Sequence, residues 1–240
     1  MNSRAGSGTR ASERVDRGCA PCEAARARAW GTQVELQSSA HTVPARRIIF
    51  RERDLSETVP VICEGWAASV VMLSDSSRQI LSFLLPGDIV STALMFEPRV
   101  PYSLEAITEV RYCAFKRSEL KHALFKNSEM FEKFSSAWIE EKNHADQLIV
   151  DLGRRTAEER IARLILGLQE RLVQRGLAQA VAMEMDFPLR QHHIADASGL
   201  TPVHVSKVLS EFRRGGLIKI SERTLTILDP AGFRRVADMR

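Results

Sequence analysis

From Arg46 onward the chain alternates short apolar runs with residues that favour turns. Arg46–Arg51, Val59–Cys63, Trp66–Leu73, Gln79–Leu85 and Val110–Phe115 are rich in Val, Ile, Leu and aromatic side chains. Asp54, Gly65, the Ser74–Ser77 cluster and Pro86-Gly87-Asp88 punctuate them. Short β-prone runs at close spacing predict a compact antiparallel roll, jelly-roll-like in character. After about Ser118 the pattern turns helical. The stretch Ser128 to Gly153 has no Pro and keeps its Gly for the end. Within it Trp138, Lys142, Ala145, Ile149 and Leu152 recur at four-three-four-three spacing. That is the seam of a two-helix coiled coil, or else a stripe that packs on the roll.

A second helix has a marked start. In Thr156-Ala157-Glu158-Glu159 the Thr hydroxyl and the Glu three residues on can satisfy free backbone amides reciprocally. Ile161, Leu164, Ile165, Leu168 and Leu172 then form one apolar face, with Gly176 shortly beyond. Further on, Gln191 to Phe212 reads as helix, tight turn, helix. Ala195 is small where two helices must approach, and Gly199 suits a turn with positive φ. Thr201 is a suitable N-cap and Pro202 an apt first helical residue, because its missing N–H would be unbonded anyway. Val205, Val208, Leu209 and Phe212 form the buried face of the second helix. Val203, His204, Ser206 and Lys207 are left outward on its first turns, where a DNA-reading helix presents its side chains. Thr224–Leu228 reads as the return strand of a hairpin, a wing beside the motif.

Composition changes this picture little and charge changes it more. The 240 residues are 44% hydrophobic and 27% charged, ordinary for a globular protein of two domains. Residues 1–150 carry 19 Lys/Arg and 19 Asp/Glu, whereas residues 151–240 carry 15 and 11. The entire formal net charge of +4 therefore lies in the last ninety residues, with the helix-turn-helix pattern. A basic surplus there fits phosphate neutralisation by DNA-binding residues, with Arg213 and Arg214 added to Thr201, Pro202, Val203, His204, Ser206 and Lys207. No run approaches the length of a membrane helix, no secretory signal is visible, and four cysteines are too few for a disulfide scaffold. A cytoplasmic setting without membrane contact is expected.

A roll, a long helix and a C-terminal winged helix-turn-helix, in that order, resemble the cyclic-AMP receptor protein / fumarate-nitrate reductase regulator (CRP/FNR) family. Gly65, Leu85-Pro86-Gly87-Asp88, Thr156-Ala157-Glu158-Glu159-Arg160, Phe187-Pro188-Leu189-Arg190-Gln191 and Gly199-Leu200-Thr201 carry the resemblance, over residues 46 to 229. It implies an α+β chain: an N-terminal arm (1–30), a β-roll sensor domain (31–127), a dimerisation helix (128–155) and a winged helix-turn-helix domain (156–240). It also implies a homodimeric regulator that binds double-stranded DNA at a palindromic operator and contacts RNA polymerase. Lys207 stands where the family usually has an Arg that reads guanine, and Val203 replaces an acidic reader. These departures argue against carrying over the family's common operators.

The effector is less legible. For cyclic AMP the family uses a Gly-Glu turn and an Arg-Ser or Arg-Thr pair, and the matching stretches here read Ser91-Thr92 and Pro101-Tyr102. Without a guanidinium the cyclic phosphate lacks its charge-assisted partner. An iron–sulfur cluster in this family takes three N-terminal cysteines and one on a roll strand. Cys19, Cys22 and Cys113 match, but Arg28 stands where the third N-terminal cysteine belongs, and Cys63 falls outside the pattern. The remaining readings are a Cys19–Cys22 thiol switch, or cysteines that serve only as small buried hydrophobes. The histidines show no ligand spacing, with His192 and His193 expected on the surface of the DNA domain. A cupin-like metalloenzyme would need inward histidines on the roll, and Arg46–Phe115 contains none, so no enzyme activity is expected.

Overall fold

The computed structural model describes residues 20–31, 36–179 and 183–238. A helix, α1 (Ala20–Trp30), comes first and leans on the roll through Ala25, Ala29 and the fully buried Trp30. The last third of the expected N-terminal arm, from Ala20 on, is thus a helix docked on the roll. Two antiparallel sheets make the roll. One has the order β1 (Ser38–Val43), β7 (Val110–Lys116), β3 (Thr58–Glu64); the other runs β2 (Ile48–Phe50), β6 (Ser103–Ala106), β4 (Ala67–Met72), β5 (Arg78–Leu84). A short 3₁₀ turn, Thr92–Met95, lies between β5 and β6. All five expected strands are present.

Turn chemistry fixes the strand ends. Gly65 (φ 81°) ends β3, and a Cβ there would fall 2.0 Å from the Glu109 carbonyl oxygen. Only glycine allows that approach. After β5 the chain turns through Gly87 (φ 96°), and the Asp88 carboxylate accepts the Leu85 N–H at 2.7 Å.

Helix α2 (Arg117–Leu124) leads into α3 (Ser128–Arg154), capped by the Asn127 side chain. Only the first part of α3 buries side chains, Met130 and Phe134. The following α4 (Ala157–Gln174) starts at Thr156 with the full reciprocal capping box. Its buried face, with Ile161, Ile165, Leu168 and Leu172, forms one core with the C-terminal elements. These are β8 (Glu184–Asp186), α5 (Gln191–Ser198), α6 (Pro202–Arg214), β9 (Ile218–Ser221), β10 (Thr224–Ile227) and α7 (Pro230–Asp238). Among the described residues no helix is long and apolar enough to cross a membrane.

Candidate nucleic-acid interface

The helix-turn-helix is assembled from local rules. Helix α5 ends at Gly199 in the left-handed conformation (φ 63°, ψ 39°), which turns the chain toward α6 without a Cβ penalty. Thr201 caps α6 by accepting the His204 N–H at 3.2 Å, and Pro202 occupies the first helical position. Ile194, Ala195, Val205, Val208, Leu209 and Phe212 are all buried, locking the two helices together. Thr201, Pro202, Val203, His204 and Lys207 are exposed, Val203 to 80%, an unusual display for an apolar side chain. Ser206 is half-buried on the flank of that face, and its carbonyl accepts the Ser210 hydroxyl. At the C-terminal end Arg213 and Arg214 are exposed, and Arg213 donates to Ser210 Oγ at 3.0 Å.

Beside it stands the wing, a β9–β10 hairpin with β8 as third strand. Its two-residue turn is Glu222-Arg223, both at positive φ (48° and 69°), the turn that matches the twist of paired strands. Exposed Lys219 and Arg223 extend the basic surface along the hairpin. Neither had been singled out as a DNA contact, although both are cations in the stretch read as a wing.

One expectation is corrected. His193 lies not on the surface but buried beneath the start of α5, where its Nδ1 accepts the Arg190 N–H at 3.1 Å. Burial, helped by the charges of His192, Arg78, Arg190 and Arg46, pushes its pKa down from 6.5 to about 4. His193 is therefore a neutral cap, and only His192 faces water.

The expected seam on α3 is open in the single chain. Trp138, Lys142, Ala145 and Ile149 are exposed, Ile149 to 70%, and Leu152 is half-buried. Ile139 and Val150, on the flank of that row, are exposed as well. The roll does not cover this stripe.

The chain is similar to known proteins along most of its length. The cyclic nucleotide-binding domain family matches residues 40–127, and the Crp-like helix-turn-helix domain matches 159–236. The nitrogen fixation regulation protein FixK of Bradyrhizobium diazoefficiens is 31% identical over 190 residues, 79% of this chain and 78% of that one. This chain belongs to the CRP/FNR family. The transcriptional activator protein FnrL of Cereibacter sphaeroides is another relative of this CRP/FNR regulator, 28% identical over 73% of the chain and 70% of its own length. Among solved structures, FixK2 from Bradyrhizobium japonicum superposes with a TM-score of 0.76 at 28% identity, covering 85% of this chain and all of that one. The protein is a DNA-binding transcription regulator of the CRP/FNR type, and the winged helix-turn-helix is its DNA-binding element.

The cysteines regroup. Cys19 lies outside the described residues. Cys63, set aside in the sequence pattern, joins Cys22 and Cys113, and the three sulfurs lie within 4.8 Å of one another. Cys63 Sγ donates to Cys113 Sγ at 3.2 Å. Hydrogen bonds with Cys113 and Cys22, and then burial, raise the Cys63 thiol far above its ordinary range. A cubane iron–sulfur cluster takes four thiolates, each on its own iron and each pointing away from the cluster centre. Its ligand sulfurs therefore stand farther apart than two ligands of a single ion. The described sulfurs, as arranged, do not fit a cubane.

Proposed function

We propose that this CRP/FNR regulator acts as a homodimer on a palindromic operator, under an effector other than cyclic AMP. The observation that carries this reading is the uncovered stripe of Trp138, Ile149 and their neighbours on α3, directly ahead of a complete winged helix-turn-helix. A second copy laid along the stripe buries it and relates two α6 helices by a two-fold axis. Such helices enter successive major grooves about 34 Å apart. His204, Ser206 and Lys207 then face base edges, Val203 offers apolar contact, and Arg213, Arg214 and the amide end at Thr201-Pro202 approach phosphates. The reading keeps the division into arm (1–30), roll (31–127), dimer helix (128–155) and reading domain (156–240), with RNA polymerase as a further partner by family likeness.

An effector other than cyclic AMP is supported at the 3₁₀ turn. The Thr92 N–H and hydroxyl donate to the Glu141 carboxylate at 2.9 and 2.6 Å, and Ser91 Oγ donates to it at 3.3 Å. The donors at Ser91-Thr92 are thus taken by an anion of the protein itself, which would repel a phosphate. A second reading, thiol-based sensing in the roll, is favoured by the convergence of Cys22, Cys63 and Cys113.

Sedimentation and a gel shift test the main reading together. The wild type is expected to sediment as a dimer and to shift a palindromic site well above competitor DNA, with affinity falling as salt rises. Ile149→Glu places a charge in the seam and is expected to yield monomers that no longer bind the full palindrome tightly. A dimer unchanged by Ile149→Glu would remove the α3 stripe from the interface.

A further inference from the structure

We propose that Cys22, Cys63 and Cys113 hold one thiophilic d¹⁰ cation, Zn²⁺ or Cu⁺, in a site that ties α1 to the roll. The proposal names the ligand class of the thiol reading above and rests on it only in placing the site there.

The three thiols come from three separate elements: the first turn of α1, strand β3 and strand β7. Three of the chain's four cysteines meet at one point, while Cys22 is only half-buried. Burial as small hydrophobes explains Cys63 and Cys113 but gives no reason for a third thiol to arrive from a helix. Spacing decides the nuclearity. With Zn–S bonds of about 2.3 Å, two sulfurs on one tetrahedral ion stand about 3.8 Å apart. Mutual distances within 4.8 Å, with Cys63 and Cys113 at 3.2 Å, bracket that value, so a small adjustment seats a single ion.

The donors decide the class of ion. All three are sulfur, and the surrounding cluster is apolar, with Ala25, Trp30, Val61, Ile89 and Phe115. Soft thiolates select Zn²⁺ and Cu⁺, whereas Mg²⁺ and Ca²⁺ require oxygen ligands. Each thiol releases its proton to solvent as its sulfur takes up the ion. The mechanical consequence lies in α1. Trp30 packs edge-on against Phe115 at 6.0 Å, and the next residue, Gly31, lies so close to Glu129 on α3 that a Cβ would fall 2.7 Å from its carboxyl carbon. An ion that fixes α1 therefore also fixes the first turn of the dimer helix.

The test uses the full chain, purified anaerobically with reductant, analysed for metal and titrated with Zn²⁺ against a chromophoric chelator. One equivalent of Zn²⁺ or Cu⁺ per chain is expected, and Co²⁺ substitution should give thiolate-to-cobalt charge-transfer bands. Cys63→Ala, which keeps a small apolar side chain, should weaken Zn²⁺ at least roughly tenfold. Cys22→Ser, at a half-buried helical position that tolerates the exchange, should do the same with circular dichroism unchanged. Four irons with inorganic sulfide, no bound metal, a Cys63–Cys113 disulfide in the reduced preparation, or wild-type affinity in both variants would each overturn the site. A gel shift on the same samples keeps the questions apart: loss of DNA binding in the metal-loaded wild type would count against the proposed function and leave the stoichiometry standing.

Discussion

At the scale of single residues, Lys207 and His193 make opposite demands on their surroundings. Lys207 is exposed on the outward face of α6, with its side chain in water. Lys207→Ala is expected to cost roughly 1–3 kcal/mol on the specific site and to relax base preference at the pair it faces. Affinity measured at fixed salt on specific and scrambled sites checks this; an equal loss on both would make Lys207 a phosphate contact instead. His193 must stay neutral to accept the Arg190 N–H. Its pKa falls from 6.5 unfolded to about 4 folded, so above pH 6.5 neither state takes a proton and stability is full. Between those values the unfolded chain binds a proton that the folded one refuses, and stability falls as the pH drops. Urea unfolding at pH 7.5 and at pH 5 should show the loss, and His193→Gln, which can accept the same amide without titrating, should shrink it. The outward set on α6 was legible because helical spacing alone sorts faces. The burial of His193 was not, because nothing in His192-His193 says which ring turns inward.

Whole elements show the same division between local and borrowed order. The start of α4 is written in four residues: Thr156 Oγ1 accepts the Glu159 N–H at 3.3 Å, and the Glu159 carboxylate accepts the Thr156 N–H at 2.8 Å. Thr156→Ala is expected to destabilise the protein by about 0.5–2 kcal/mol. Chemical denaturation checks that value, and an unchanged midpoint would mean that α4 is held by packing alone. The helix-turn-helix is similarly self-declaring, since Gly199, Thr201 and Pro202 act within their own turns. Strands β1, β6 and β8 carry no such signal. Ser38–Val43 is polar and only partly buried, Ser103–Ala106 is four residues long, and Glu184–Asp186 buries only Met185. Their order comes from register with β7, with β2 and β4, and with β10, all distant in sequence. The thiol cluster belongs to this second kind. Cys63 and Cys113 meet because β3 and β7 are neighbours, a pairing that counting cysteines along the chain could not find.

At the scale of the whole molecule, the roll and the reading domain are joined by charge as well as by chain. Asp88, at the turn after β5, receives Arg171 from α4 and Arg175 from the C-cap of that helix, Arg171 Nη2 at 2.6 Å, while Arg171 Nη1 also donates to the Phe83 carbonyl. All three charged side chains are largely sheltered, Asp88 to 13% exposure, so water weakens these bonds less than at an open surface. A second tie runs from Arg78 on β5, whose Nη2 meets Glu105 within the roll at 2.8 Å and whose Nε approaches Asp196 on α5 at 3.4 Å. Movement of the reading domain relative to the roll must break or slide these contacts, which makes Asp88 the carboxylate to remove. Asp88→Asn keeps the shape of the turn but leaves two guanidiniums facing a neutral amide. Each charge-assisted hydrogen bond is worth about 1.5–3 kcal/mol. The variant should therefore unfold earlier, and in calorimetry the single transition expected of the wild type should divide as roll and reading domain melt separately. Arg171→Met with Arg175→Met should reproduce the division, and adding Asp88→Asn to that pair should cost little more, because the carboxylate then has no cations left to join. A single transition retained in Asp88→Asn would mean that the apolar core shared by β5, α4 and α5 couples the two domains without the charges.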